Sequence, residues 1–229
     1  LDALALTALQ AAVAAAVSSG ATGFEAAALV GGSADDAGVA AVRELSADAV
    51  IIDSDHNHYT LSEELRLIDE RAEPGRIPLL IFHDVCWPHA RRDTYYAPDR
   101  IPEDHRQPLA QDAQLAPDEP GVASAGIHFP WAAAREGGPR NGVLTAIEDF
   151  LDGRSGVRLA IVPAFFGLGV LWAEDAPWAE RVAAVVDPWD SSPMVARLEA
   201  DRVNGMVDRI KLERQGELLR AMLNSRAFV

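Results

Sequence analysis

Cysteine is almost missing from this chain of 229 residues, where Cys86 stands alone. That excludes an internal disulfide framework and any cysteine-rich zinc site, and a reducing cytoplasm is the plain expectation. Lysine is as scarce, with Lys211 set against 19 arginines, and the bias itself carries no function. Basic charge as a whole is outnumbered: 20 Lys and Arg face 35 Asp and Glu, for a formal net charge of −15. Phosphate backbones and anionic bilayers both need a basic face, so neither nucleic acid nor a membrane surface is an expected partner. No apolar run reaches the roughly 18 residues of a spanning helix. The Ala-rich start carries Asp2 and lacks a basic stretch, so it does not read as a signal peptide. There is also no His-Glu-x-x-His helix, no Gly-x-Ser-x-Gly elbow and no Gly-x-x-x-x-Gly-Lys phosphate loop.

What is present is ordinary globular material, 49% apolar and 24% charged, enough for one domain with an appendage. Residues 1–19 are Ala- and Leu-rich and predict a helix closed by Gly20. Three continuously apolar runs, 26–32, 48–53 and 77–84, predict buried strands. Between them a helix capped by Asp35 or Asp36 is expected over 37–45, and a second opens on the capping box Thr60-Leu61-Ser62-Glu63. Pro74-Gly75 marks a break before the third strand. Apolar strands alternating with helices predict an α/β fold with a mostly parallel sheet.

The stretch 86–140 is rich in proline and holds Tyr95, Tyr96 and Trp131, which reads as a lid or insertion. A helix is expected over 142–152, then an antiparallel hairpin over 157–174 turning at Gly167-Leu168-Gly169. A short helix near 177–186 and a long one opened by Ser192-Pro193 follow. Residues 1–190 are thus expected to form the α/β domain, with 191–229 a helical extension that packs on the domain or on a second copy of the chain.

Two strand ends carry chemistry: Asp53-Ser54-Asp55-His56-Asn57-His58 and His83-Asp84. Ligands of parallel sheets sit beyond the carboxyl ends of the strands. Adjacent strands lie about 4.8 Å apart, so Asp53 and Asp84 are expected to share one hard cation such as Mg²⁺. His56, three residues past Asp53, is placed to act as a general base on a substrate hydroxyl. The histidines His56, His58 and His83 also leave a zinc hydrolase open.

The segment AVIIDSDHNHYTLSEELRLI, residues 49–68, resembles the fourth strand and following helix of class I S-adenosylmethionine-dependent methyltransferases. It is most similar to the metal-dependent O-methyltransferases of macrolide sugars and the cephalosporin hydroxylase-like branch. The resemblance implies a Rossmann-like methyltransferase sheet ending in an antiparallel hairpin. It implies S-adenosylmethionine as cofactor, with Ser33 in the turn near the adenine and Asp53 also at the cofactor. It makes Asp53 and Asp84 metal ligands, with His83 standing where the family has glutamate, and His56 the base. Tyr95, Tyr96 and Trp131 would form a lid over a small-molecule acceptor. The family's glycine-rich cofactor loop is not found. An N-terminally incomplete domain is therefore expected, in which a missing central strand leaves two apolar strand edges unpaired.

Three functions follow as expectations: O-methyl transfer to a sugar or natural-product hydroxyl, a non-catalytic binding or dimerisation module, and a metal-dependent hydrolase.

Overall fold

A computed structural model of the chain describes residues 26–30, 49–72 and 76–226. The helices expected over 1–19 and 37–45, the Ser33 turn and the Pro74-Gly75 break lie outside the described residues. A five-stranded mixed sheet forms the body. In chain order it is built from β1 (Ala26–Val30), β2 (Ala49–Asp53), β3 (Leu79–His83), β6 (Val157–Val162) and β7 (Leu168–Ala173), arranged β1-β2-β3-β7-β6. The pairs β1–β2 and β2–β3 are parallel, whereas β7 runs antiparallel to both β3 and β6. β1 and β2 pair directly, Ala26 with Ala49 through Val30 with Asp53. The expected gap between them, with two unpaired apolar edges, is therefore not seen.

Alternation along each strand sends side chains to opposite faces, and both faces are covered. Leu80 and Phe82 of β3 join Val50 and Ile52 in one core with Leu61, Leu65 and Ile68 of helix α1 (His58–Arg71) and Val143 and Ile147 of α2 (Val143–Leu151). Leu79 and Ile81 face the other way, into a second core with Val170, Trp172 and helix α3 (Ala179–Val186). Three layers, α/β/α, result. α1 begins three residues earlier than its capping box implies. Asn57 is the cap, and its side-chain oxygen accepts from the Thr60 backbone N–H at 2.8 Å. Asn57 wins because it already stands in extended backbone outside the first turn, which Thr60 does not.

The Pro-rich stretch is not structureless. It carries two single-turn 3-10 helices and a second sheet, β4 (Leu109–Leu115) antiparallel to β5 (Ile127–Ala133). Its small core, Ala113, Leu115 and Ala132 beside Trp87 and Phe129, explains why so much proline is tolerated: the turns are fixed by packing. The hairpin at 157–174 forms as expected, but Leu168 and Gly169 belong to β7, and the turn is carried by Gly167 at φ 94°. A Cβ there would lie 2.5 Å from Cys86 Sγ, so only glycine fits. The last helix, α4 (Pro193–Arg226), is 34 residues long. Among the described residues no helix is long and apolar enough to cross a membrane.

Asp93 ties these parts together. It is fully buried. Its Oδ1 accepts from the backbone N–H of His58 at 2.8 Å and of Gly142 at 2.6 Å, the starts of α1 and α2. Its Oδ2 accepts from the Tyr95 hydroxyl at 2.8 Å. A carboxylate between two helix N-termini is favoured by both their dipoles and their unpaired N–H groups. Burial nonetheless raises the Asp93 carboxyl pKa, against those hydrogen bonds. Asp93→Ala leaves three buried donors without a partner and should cost at least about 3 kcal/mol by urea denaturation, whereas exposed Asp99→Ala should stay within about 0.5 kcal/mol. Equal effects for both would contradict the hub.

Candidate metal centre

The parallel register decides which side chains meet. Ile52 pairs with Phe82, so Asp53 comes opposite His83, not Asp84. Asp53 and His83 then share a phase of the pleat and project to one side. Asp84, the next residue, would point to the other side in an extended chain. Its φ of 59°, a left-handed value, turns its carboxylate back toward the same point. His56 arrives from the loop between β2 and α1, held by its carbonyl, which accepts from the Thr94 N–H at 2.9 Å.

Four residues converge. His83 Nδ1 lies 3.3 Å from Asp53 Oδ1 and 3.2 Å from Asp84 Oδ1. His56 Nε2 lies 3.6 Å from Asp53 Oδ1 and 3.1 Å from Asp84 Oδ2. These are ion-pair distances without hydrogen-bond alignment. Buried His56 Nε2, His83 Nδ1 and Asp84 Oδ1 therefore have no hydrogen-bond partner. Asp53, His56 and His83 offer one donor atom each within 4.8 Å of one another, the geometry of a metal triad. Two donors on a tetrahedral ion with bonds of about 2.0 Å stand about 3.3 Å apart, close to what is seen here.

The protonation states fit a site made for positive charge. Contacts with His56, then His83, hold the Asp53 carboxyl well below the usual carboxylate range. Burial opposes the charge of His56, but Asp53 and Asp84 outweigh it and raise its pKa to about 9. Burial likewise opposes the charge of His83, which Asp53 and Asp84 raise. Asp84 is lowered despite its burial, chiefly by His56. Asp55 is pushed up to about 6 by burial, its Oδ1 accepting from the Tyr96 N–H. Asp55, His56 and His83 line one small pocket with Leu61, Phe82 and Val143. A larger cleft lies at the other end of the strands, near the start of β6 and the end of β7, where Arg154 is bound to Asp69, away from this chemistry.

The expected lid residues separate. Tyr96 is 70% exposed, its ring inclined 70° to that of His56 with 6.3 Å between centroids. Tyr95 is buried and spends its hydroxyl on Asp93, so it is not available to a substrate. Trp131 belongs to β5, where it pairs with Gln111, and its carbonyl accepts from the Tyr95 N–H. His58, weighed above for zinc, instead binds Asp149 at 2.8 Å and joins α1 to α2. Sequence reasoning missed His89. It is buried, its ring 4.5 Å from that of His56, and Nε2 lies 3.5 Å from Asp84 Oδ2. Burial, then the charge of His56, lowers it to about 3, so it is neutral. A histidine inside a Pro-rich stretch gave no periodic signal of burial.

A cytidine deaminase-like family model matches residues 1–58, about a quarter of the chain. No curated protein and no solved structure matches. The match points to a different fold from the class I methyltransferases and corrects the resemblance drawn from residues 49–68. The Asp-x-x-His motif behind that resemblance is a short strand-to-helix turn, which many α/β sheets can present. Zinc deaminases hold their metal with His and two Cys, in His-x-Glu and Pro-Cys-x-x-Cys motifs. This chain has one cysteine and neither motif, so that donor set is not present.

Cys86 itself is half-buried, and burial, then Glu199 and Asp84, push its thiol up to about 11. A raised pKa keeps the thiol neutral until the pH approaches that value. Alkylation by iodoacetamide at pH 8 should therefore run about a hundredfold slower than for a free thiol and climb steeply with pH. A rate already at its plateau by pH 9 would contradict the burial of Cys86.

Proposed function

We propose that the chain is a metal-dependent hydrolase acting on a small polar substrate, with Asp53, His56 and His83 as the protein ligands of a divalent cation. The observation that carries this is the convergence of His56 Nε2, His83 Nδ1 and Asp53 Oδ1, two of them buried donors with no hydrogen-bond partner. Leaving such groups unpaired costs about 1–3 kcal/mol each, which a cation offsets. Two imidazoles and one carboxylate favour a borderline transition ion such as Zn²⁺ over the Mg²⁺ expected from a pair of carboxylates. Such a cation supplies Lewis acidity and lowers the pKa of water.

The chain's own residues do the rest. Asp84 lies against both imidazoles, fixing their orientation and favouring positive charge between them. Asp55, with its pKa near 6, is the acid–base group best matched to neutral pH. Tyr96 stands at the exposed edge, where an aromatic face meets an incoming substrate. The family match supports a hydrolytic class, since deamination is itself a hydrolysis, and it spans Asp53, Asp55 and His56.

Elemental analysis of the purified chain tests the reading. About one equivalent of transition metal per chain is expected, falling at least tenfold in His83→Ala, with a lower melting temperature after chelation. A wild-type chain that carries no metal, and gains no thermal stability when zinc or manganese is added, would sink it.

A further inference from the structure

The last helix is apolar on two opposite sides. A helix turns about 100° per residue. On that count Val203, Val207 and Ile210 of α4 share one side, where Val207 packs on Ala116 and Ala123 and Arg214 reaches the Ser124 carbonyl. Met194, Leu198, Leu212, Leu219 and Leu223 fall within an arc of about 60° on the other side. Each of these five is between 61% and 70% exposed. Gly205 and Gly216 lie on the same line, and a Cβ at either would meet nothing within 4 Å. Nothing in the chain's own packing requires glycine there, although each costs about 1 kcal/mol against alanine in a helix interior.

The order of residues along this stripe is self-complementary. About a point between Asp208 and Arg209, Met194 mirrors Leu223, Leu198 mirrors Leu219, Gly205 mirrors Leu212 and Asp201 mirrors Gly216. We infer that two copies of the chain pair through this stripe, their α4 helices antiparallel about that point. Leu212 of one copy then fills the gap left by Gly205 in the other, and Asp208 of each meets Arg209 of the other. Charge favours the same orientation. Residues 193–208 carry two arginines against three acids, and residues 209–226 carry five basic residues against two acids. Antiparallel pairing sets these unlike halves together, whereas parallel pairing sets the basic ends side by side. The body packs on the opposite side of α4 and leaves the stripe open. A strip about 50 Å long and 10–12 Å wide buries about 1,000–1,200 Å² in total, the lower edge of specific interfaces, so the dimer is reversible.

Sedimentation velocity of the whole chain tests this over about 1–100 µM, the range such an interface implies. The mass should rise from 24.5 kDa toward twice that value. Leu212→Glu combined with Leu219→Glu should remain monomeric with an unchanged circular dichroism spectrum, because both side chains are exposed. A wild-type chain that stays monomeric at the highest concentration overturns the inference, as does a double variant that still dimerises. Orientation is read in a Cys86→Ser background. Asp208→Cys should cross-link to its own copy on oxidation, whereas Asp201→Cys, on the same stripe but about 22 Å from its mate, should not. Equal cross-linking of both would show parallel pairing and overturn the register.

Discussion

The Asp93 carboxylate is the contact on which most of the architecture depends. One buried side chain satisfies the first N–H of α1, the N–H of Gly142 ahead of α2 and the Tyr95 hydroxyl. Its backbone is also committed: the N–H donates to Asn141 Oδ1 and the carbonyl accepts from Ala133. The two helices over one face of the sheet and the second sheet of the Pro-rich stretch are therefore joined at one residue. Thr94, immediately after it, donates to the His56 carbonyl and holds His89 through its hydroxyl at 3.0 Å. The hub thus fixes the loop that closes over the strand ends, and structure passes into site across one peptide bond.

The site follows from register and one unusual backbone angle. Parallel pairing sets Asp53 beside His83, and the left-handed conformation of Asp84 returns its carboxylate to the same side. Two carboxylates face two imidazoles, with a neutral His89 behind them, beyond the carboxyl ends of the interior strands β2 and β3. Asp53 and Asp84 raise the pKa of both His56 and His83 against the cost of burial. Proton and metal compete for the same lone pairs, so the features that raise these pKa values also favour a metal.

Much of the scaffold was legible in the sequence, because apolar runs and turn residues report burial directly. The strands at 26–30, 49–53 and 79–83, the closing hairpin and the long last helix fall where the pattern puts them. Asp53, His56, His83 and Asp84 were legible as a group because they end or closely follow apolar strands. Their division of roles was not, since it depends on a one-residue register and on φ at Asp84. The order within 86–140 was hidden because small residues, Ala113 and Ala132 among them, supply its core without an apolar run. The two-sided character of α4 was hidden too: apolar residues on opposite faces blur any single stripe. The methyltransferase resemblance rested on a short motif read without its surroundings, and the cytidine deaminase-like match corrects it.

X-ray absorption spectroscopy on the zinc-loaded chain tests the central claim most directly. Two imidazole nitrogens and carboxylate oxygen are expected at about 2.0–2.2 Å, with one imidazole signature lost in His83→Ala. A shell of oxygen alone, unchanged by His83→Ala, would contradict it.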